Sequence, residues 1–323
     1  MFDRSMKSVF MAGLGHHHPA TRITNRSLVD QLETSEAWIV ERTGIDERRR
    51  IGRGETASQL GTAATLSALE RVGWSASDLQ LLVCATSSPD TFLPATASHM
   101  ARKLGCQPLA FDINAACAGA AYGIAVGRSM MQTMNLSRAA VCCVDTYTEF
   151  TDYRDRRTAV LFGDGAATAL LQTDRPTLGA EILDVDLEND HRHIDLVQVP
   201  RAGGWQLRGR EVVPPALSML AASAERILAR NQLAIADLRG FVGHQANYRI
   251  LETLAERLGV RPEQHWSNVH RFGNQGAAGA LATLSQSVMA PEGGPLRSGE
   301  LILMTVVGAG FTAGSVLLRW IAE

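Results

Sequence analysis

Several features that would place a protein in a broad class at once are missing from this chain. With a formal net charge of −2, the chain has no general attraction to nucleic acids. Its first residues, MFDRSMK, contain no apolar signal segment, and we expect no apolar run long enough to cross a bilayer. We therefore predict a cytoplasmic protein that binds neither nucleic acid nor membrane.

The cysteines lack the spacing of a disulfide framework or a zinc site. The five are scattered and contain no Cys-x-x-Cys pair: Cys84, Cys106, Cys117, Cys142 and Cys143. An odd, scattered set is typical of free thiols in a reducing compartment. Three adjacent histidines at 16–18 precede Pro19, and we interpret them as a polar loop instead of a metal site. We predict no metal ion and no bound cofactor.

The chain is longer than one hydrophobic core usually allows, and its two halves resemble each other. Residues 69–87 (LERVGWSASDLQLLVCATS) align with 228–246 (LARNQLAIADLRGFVGHQA) at an offset of 159, that is 228 − 69. The same offset places CAGAA (117–121) over GAAGA (276–280), and a later glycine turn at 163 resembles one at 308. We therefore predict two copies of one α/β unit, covering residues 1–174 and 175–323.

Cys117 is the best candidate for a reactive residue. It follows an apolar, strand-like run (Leu109–Ile113) and is surrounded by Ala and Gly. Helical N–H groups at a strand-to-helix junction favour a thiolate, although a buried structural thiol is the competing interpretation. The carboxyl ends of parallel strands meet at one sheet edge, so we expect Cys117, His244 and Asn274 to share a site there.

Six segments, in order, resemble β-ketoacyl-acyl-carrier-protein synthase III, a family of condensing enzymes in the thiolase superfamily. They are TSEAWIVERTGI (34–45), NAACAG (114–119), FGDGA (162–166), GHQANYRI (243–250), GNQGAA (273–278) and GAGFTAGS (308–315). The resemblance covers nearly the whole chain. It implies an α/β, five-layered αβαβα thiolase-like fold built from two duplicated halves, and a homodimer.

The resemblance also implies a Cys-His-Asn mechanism. Cys117 would attack an acyl-CoA, release coenzyme A and hold the acyl group as a thioester. His244 and Asn274 would donate hydrogen bonds to the carbonyl of malonyl-ACP or malonyl-CoA, which becomes enolate-like as carbon dioxide leaves. The backbone N–H groups of Cys117 and Ala309 would form an oxyanion hole. The product would be a β-ketoacyl thioester, for fatty-acid initiation or a specialised pathway.

Other residues match positions at which the family holds coenzyme A. Trp38 and Arg156 match a pair that brackets the adenine, and an indole and a guanidinium can both stack on a base. Arg42 matches a residue near the nucleotide. Asn247 matches a pantetheine-binding position, and Arg249 one at the channel mouth that contacts carrier protein or pantetheine.

The chain departs from the family pattern at several positions. The usual Gly-Asn-Thr-Ser-Ala-Ala-Ser reads GNQGAAG at 273–279, and Ala309 and Ala313 replace a glycine and a tryptophan of the later turn. Pro214 and Glu256 replace lysines associated with carrier-protein docking, which weakens the expectation of that partner. Leu93 matches a position that reaches across the dimer to close the partner's acyl tunnel. The segment 186–209, which normally helps to wall that tunnel, looks shortened.

Two other functions remain open at this point. The first is acyl transfer to a hydroxyl, amine or thiol without a new carbon–carbon bond, but relatives that do this often alter the Asn, so Asn274 favours condensation. The second is a non-catalytic synthase partner, which would be expected to lose its nucleophile, so Cys117 argues against it. Plant-type polyketide synthases share the chemistry, but the local motifs fit synthase III better.

Overall fold

The computed structural model describes residues 8–291 and 293–323. The segment MFDRSMK, on which the expectation of no signal peptide rests, lies outside these residues. The elements of the first half are β1 (Phe10–His17), β2 (Thr21–Thr24), α1 (Asn25–Val29), α2 (Glu36–Thr43), β3 (Glu47–Arg50), α3 (Ala57–Val72), β4 (Leu81–Ala85), α4 (Thr96–Leu104), β5 (Leu109–Ile113), α5 (Gly119–Met134), β6 (Arg138–Thr146), α6 (Arg156–Ala159) and β7 (Asp164–Gln172). Those of the second half are β8 (Leu178–Asn189), β9 (Val197–Gln198), β10 (Gln206–Leu207), α7 (Gly209–Arg230), β11 (Leu238–Val242), α8 (Tyr248–Leu258), β12 (His265–Trp266), α9 (Val269–Phe272), α10 (Ala278–Met289), β13 (Leu301–Gly308) and β14 (Thr312–Ala322).

The order of the strands repeats between the two halves. The first half contributes β5-β4-β6-β7-β1 and the second β12-β11-β13-β14-β8, so that each element has a counterpart in the same place. The two sets join through a short antiparallel pairing of β1 with β8, in which Phe10 lies opposite Glu181 and Met11 opposite Ala180. The repeat confirms the duplicated fold. The boundary at 174/175 lies between β7 and β8 and stays a prediction.

The elements stack in five layers, as the resemblance implied. Helices α5 and α10 each contact strands of both halves, so they form the central layer. Helices α3 and α4 cover the outer face of the first set of strands, and α7 and α8 cover that of the second. The largest apolar core is the central one, and it contains residues from both halves.

Small residues let the central helices approach closely. A Cβ added at Gly119, the first residue of α5, would lie 2.9 Å from the Cβ atoms of both Ala85 and Ala277. Any larger residue would therefore force the start of α5 away from β4 and from the start of α10. The residues before these two helices are thereby held close together.

Helix α7 corrects one expectation. Among the described residues it is the helix long and apolar enough to cross a membrane, so the prediction that no such run exists was wrong by length and composition. Its apolar face is used for packing, because Leu220, Ala224 and Ile227 are buried in the outer core against β13 and β14.

The histidines at 16–18 are also not a loop. His16 and His17 end strand β1, and the ring of His18 stacks on Phe272 with centroids 3.8 Å apart. Nδ1 of His18 lies 2.8 Å from Nε2 of Gln275. Burial is the main cause that lowers the pKa of His16 to about 4 and that of His18 to about 3, so both rings are neutral and structural at neutral pH.

Candidate active site

One cavity of about 760 Å³ brings the predicted catalytic residues together. Cys117, His244 and Asn274 all line it, although they are distant in the sequence. It lies where chain segments leave β5, β11 and β12 and meet the turn between β13 and β14. The sheet-edge argument thus predicted the meeting of these residues correctly, and their chemical roles stay predictions.

Cys117 lies on a sharp turn between β5 and α5. The turn is a single 3₁₀ segment, Ala116–Ala118, and Ala116 has a left-handed φ of 47°, which is unusual for a residue with a side chain. The Asn114 carboxamide oxygen accepts a hydrogen bond from the Ala116 N–H at 3.1 Å, which helps to hold this conformation. Strain of this kind often occurs where a reactive side chain must be presented.

The turn between β13 and β14 packs directly on this segment. A Cβ added at Gly308 would lie 2.5 Å from the carbonyl oxygen of Ala115 and 2.8 Å from the backbone nitrogen of Cys117. The Thr312 hydroxyl also donates a hydrogen bond of 2.9 Å to the Ala115 carbonyl. The two residues predicted to supply oxyanion-hole N–H groups, Cys117 and Ala309, therefore border the same cavity.

The thiol of Cys117 is protonated at rest. Burial is the largest cause that raises its pKa, to about 12, and the nearby Asp145 carboxylate adds to the increase. This corrects the expectation that the helix start would favour a thiolate. A thiol of this kind needs a proton acceptor when it attacks a thioester.

His244 follows β11 and is a buried, neutral imidazole. Burial lowers its pKa to about 4, so at neutral pH it has one N–H donor. The next residue fixes its loop: the Gln245 amide oxygen accepts from the N–H groups of Asn268 and Val269 at 3.1 and 3.2 Å. His244 thus lies on a segment that is tied to the start of α9.

Asn274 is positioned by its backbone and its side chain. Its N–H donates to the Leu161 carbonyl at 2.9 Å, and its carbonyl accepts from Gly163 at 3.0 Å. Its side-chain oxygen accepts from the Gly276 N–H at 3.0 Å. Since that atom must be the acceptor, the NH₂ group of Asn274 remains as a donor for a ligand in the cavity.

The residues predicted to hold coenzyme A lie in several separate places. The Arg156 guanidinium lies 5.1 Å from the centre of the Trp38 ring, so this pair does meet. Asn247 lines the cavity and caps α8, its side-chain oxygen accepting from the Ile250 N–H at 2.9 Å. Arg42 is exposed and lies beside Glu41. Arg249 donates to backbone carbonyls of α2 and lines a second, more polar cleft of about 1230 Å³.

The residues predicted to shape the acyl tunnel lie in two places. The segment 186–209 does wall the cavity, through residues that include Ile194, Val199 and Trp205, while its shortening relative to the family stays a prediction. Leu93 does not reach the cavity of its own chain, because it and Phe92 are 87% and 82% exposed. Two adjacent apolar side chains with this exposure are typical of a contact with another chain.

Sequence reasoning missed three polar residues beside the nucleophile. The Tyr147 hydroxyl lies 3.5 Å from Sγ of Cys117 and 2.9 Å from the Ser87 hydroxyl, which in turn lies 3.0 Å from the Asp145 carboxylate. Ser87 follows β4, and Tyr147 follows β6. The sheet-edge rule that selected His244 could have selected both, but no family motif drew attention to them.

No cluster of three or more metal-ligating side chains is found among residues 8–291 and 293–323. The α/β layers and the cavity between two duplicated halves are those of the thiolase fold, and the thiol of Cys117 in that cavity stays a predicted nucleophile. Comparison with known proteins narrows this class.

Two family models match the chain: 3-oxoacyl-[acyl-carrier-protein] synthase III over residues 111–191 and the C-terminal model of the same enzyme over 228–320. Among curated proteins, β-ketoacyl-[acyl-carrier-protein] synthase III of Acidiphilium cryptum is 36% identical over 98% of this chain and all of its own length. Synthase III 2 of Streptomyces coelicolor is 37% identical over 96% of this chain and 93% of its own.

Solved structures agree with this result. FabH, the 3-oxoacyl-(acyl carrier protein) synthase III of Pseudomonas aeruginosa, matches with a TM-score of 0.91 and 34% identity over 98% of this chain and 99% of its own. The priming β-ketosynthase of the R1128 polyketide pathway matches with a TM-score of 0.88 and 26% identity over 100% and 99%. The chain belongs to the β-ketoacyl-acyl-carrier-protein synthase III family, as its motifs predicted.

Proposed function

We propose that this protein catalyses a decarboxylative Claisen condensation, joining an acyl group held on Cys117 to a malonyl thioester to give a β-ketoacyl product. One observation carries the proposal: a single cavity contains a thiol and two neutral hydrogen-bond donors, His244 and Asn274. Relatives named β-ketoacyl-[acyl-carrier-protein] synthase III and priming β-ketosynthase of a polyketide pathway support it.

In the first half-reaction, Cys117 attacks the carbonyl of an acyl-CoA. The carbonyl oxygen becomes negative in the tetrahedral intermediate, and the N–H groups of Cys117 and Ala309 at the cavity wall are available to stabilise it. Coenzyme A leaves, and the acyl group remains on sulfur. An acyl-cysteine is still a thioester, so it keeps its reactivity toward a carbon nucleophile.

In the second half-reaction, a malonyl thioester on carrier protein or coenzyme A loses carbon dioxide. Negative charge then develops on its thioester carbonyl, and donors from His244 and Asn274 stabilise that charge. A neutral histidine suits this role because it can donate a hydrogen bond while it cannot easily protonate the carbanion. The carbanion attacks the acyl-cysteine, and Cys117 is released.

We also propose how the substrates and a second subunit bind. Trp38 and Arg156 bracket the adenine of coenzyme A, Arg42 lies near the nucleotide, and Asn247 and Arg249 contact the pantetheine arm or a carrier protein. The exposed Phe92 and Leu93 support a homodimer in which Leu93 borders the acyl site of the partner. We further propose a cytoplasmic location.

Intact-protein mass spectrometry tests the function directly. The protein is incubated with a panel of acyl-CoAs, with Cys117→Ala as the control, and an acyl mass shift is expected only when Cys117 is present. Malonyl-CoA or malonyl carrier protein is then added, and release of carbon dioxide with a β-ketoacyl product is expected.

Two outcomes would contradict the proposal in different ways. Absence of a mass shift with every acyl-CoA would contradict acylation by coenzyme A thioesters. Loss of the acyl group to a hydroxyl, amine or thiol, with no carbon dioxide and no β-keto product, would instead assign simple acyl transfer.

A further inference from the structure

A chain of hydrogen bonds leads from the nucleophile into the protein interior. Sγ of Cys117 lies 3.5 Å from the Tyr147 hydroxyl, which lies 2.9 Å from the Ser87 hydroxyl, which lies 3.0 Å from Oδ1 of Asp145. Tyr147 is buried and lines the cavity, whereas the buried Asp145 and Gly276 lie beside its ring, outside the cavity lining.

Counting hydrogens fixes the direction of this chain. The Asp145 carboxylate can only accept, so the single Ser87 hydroxyl hydrogen points to it. The Ser87 oxygen then accepts from Tyr147, and the Tyr147 oxygen is left to accept from the thiol of Cys117. The hydroxyl hydrogens of Tyr147 and Ser87 thus point toward Asp145, and their oxygen lone pairs face the sulfur of Cys117.

A second, independent observation concerns Gly276, where the usual family motif has a serine. A Cβ added there would lie 2.2 Å from Oδ2 of Asp145 and 2.6 Å from Cζ of Tyr147. Gly276 also has a left-handed φ of 57°. The absence of a Cβ at Gly276 therefore leaves room for the Tyr147 ring beside the carboxylate.

We propose that Tyr147 is a catalytic residue that takes the proton of Cys117, with Ser87 and Asp145 behind it as positioning residues that pass the proton inward. The proposal rests on the proposed function, because it concerns how Cys117 is acylated. The proposal assigns a catalytic role to the Tyr147 hydroxyl, which lies in an otherwise largely apolar cavity.

The proton count closes over one cycle. As sulfur bonds to the acyl carbon, its proton moves to Tyr147, the Tyr147 proton moves to Ser87, and the Ser87 proton moves to Asp145. The departing coenzyme A thiolate takes a proton from water. When condensation releases Cys117 as a thiolate, Asp145 returns its proton along the same chain. One proton is consumed overall, as decarboxylative condensation requires.

The surroundings of Asp145 suit this exchange. Burial raises its pKa to about 6, while N–H and O–H donors that include Ala277, Ser87 and Ser88 keep it from rising further. It is therefore ionised at neutral pH and able to accept a proton. Its negative charge also disfavours a neighbouring thiolate, and protonation of Asp145 removes that repulsion as the thiol reacts.

The test uses Tyr147→Phe, which deletes one oxygen and keeps the ring against Phe162 and Trp205. We expect acylation of Cys117 by the best acyl-CoA of the panel to slow at least tenfold in rapid-quench experiments. Alkylation by iodoacetamide at pH 8 should slow about three- to tenfold, because the hydrogen bond of the Tyr147 hydroxyl lowers the pKa of the Cys117 thiol and its loss reduces the thiolate fraction. Tyr122→Phe is the matched control, because its hydroxyl donates to the Glu188 carbonyl at 2.9 Å and takes no part in the chain of hydrogen bonds described above, and both rates should stay at the native value.

Ser87 supplies a second pair of variants. Ser87→Ala breaks the chain but leaves Tyr147 beside the sulfur, so acylation should slow, whereas Ser87→Thr retains a hydroxyl and should retain the native rate. Native acylation and alkylation rates in a folded Tyr147→Phe protein would overturn the proposal. So would equal rates for Ser87→Ala and Ser87→Thr. Because alkylation needs no acyl substrate, these results are distinguishable from a failure of the proposed condensing function.

Discussion

The two halves of the molecule have different side chains at the positions equivalent to Cys117, His244 and Asn274. At an offset of 159, Cys117 corresponds to Gly276 (276 − 117), His244 to Ala85 (244 − 85) and Asn274 to Ala115 (274 − 115). In each pair one half has the reactive group, and the other has Ala or Gly.

Space explains this division. Ala85 lies beneath Gly119, whose added Cβ would be 2.9 Å from that of Ala85, and a Cβ at Gly276 would collide with Asp145. Two large side chains do not fit at equivalent positions where the starts of α5 and α10 pack together. Each pair of equivalent positions therefore has one large side chain and one small residue. The first half provides the nucleophile, and the second provides the donors.

The variant with the largest expected effect tests whether the nucleophile can be moved from the first half to the second. Cys117→Gly with Gly276→Cys moves the thiol to the equivalent turn of the second half, where its Cβ would collide with Asp145 and Tyr147. We expect no acyl mass shift for the double variant and none for Cys117→Ala. Acylation of a cysteine at 276 would show that the halves are interchangeable and would break the comparison.

Removal of the donors of the second half should separate the two half-reactions. His244→Ala and Asn274→Ala should each lower the rate of condensation about 10²- to 10³-fold, the usual cost of one oxyanion donor. Acylation of Cys117 should be much less affected, and stopped-flow measurement of each step checks this. Equal losses in both steps would contradict the assignment of these residues to the malonyl thioester.

Gly276→Ala should lower the free energy of unfolding by about 1–3 kcal/mol, because its Cβ overpacks the Asp145 and Tyr147 corner and its φ is left-handed. Adding Tyr147→Leu should recover part of that loss, and urea unfolding measures both. The control is Gly54→Ala, which has a positive φ of 84° and no atom within 4 Å of its added Cβ. Strictly additive losses for Gly276→Ala and Tyr147→Leu would show that the two sites are uncoupled.

The smallest effect concerns the contact of His18 with Phe272 and Gln275, which ties β1 of the first half to the Asn274 loop of the second. Burial lowers the pKa of His18 to about 3, so the unfolded chain binds its proton more readily than the folded one. The stabilisation by the packing of the neutral His18 ring is therefore complete above pH 6.5. It is lost as the pH falls toward 3, because the unfolded chain takes up the proton first. His18→Gln should therefore weaken the loss of stability between pH 6.5 and 4, measured by urea unfolding at several pH values.

Much of the fold and part of the site could be predicted from the sequence. The repeat at 159 predicted the duplicated strands, and the sheet-edge argument predicted that Cys117, His244 and Asn274 would share one cavity. These predictions succeeded because each depends on local pattern or on strand order.

The predictions that failed depend on surroundings that no local pattern records. The helix start at Cys117 suggested a thiolate, but burial among residues from both halves outweighs the dipole and raises the thiol pKa. The histidines at 16–18 are polar residues, yet all three are half-buried, and Phe272 of α9 and Gln286 of α10 contact His18. No motif selected Tyr147, because only the folded chain places its hydroxyl beside the sulfur of Cys117.

The glycine at 276 also constrains the history of the site. A serine there, as in the usual family motif, leaves no room for a tyrosine ring at 147, since even a bare Cβ would lie 2.6 Å from Cζ of that ring. In a succession of single substitutions from such an ancestor, the glycine must therefore come before the tyrosine. Intermediates with Gly276 and a smaller residue at 147 should keep the stability of the ancestor, whereas the reverse order passes through a destabilised protein. Relatives that carry the tyrosine should all carry the glycine, and the converse need not hold.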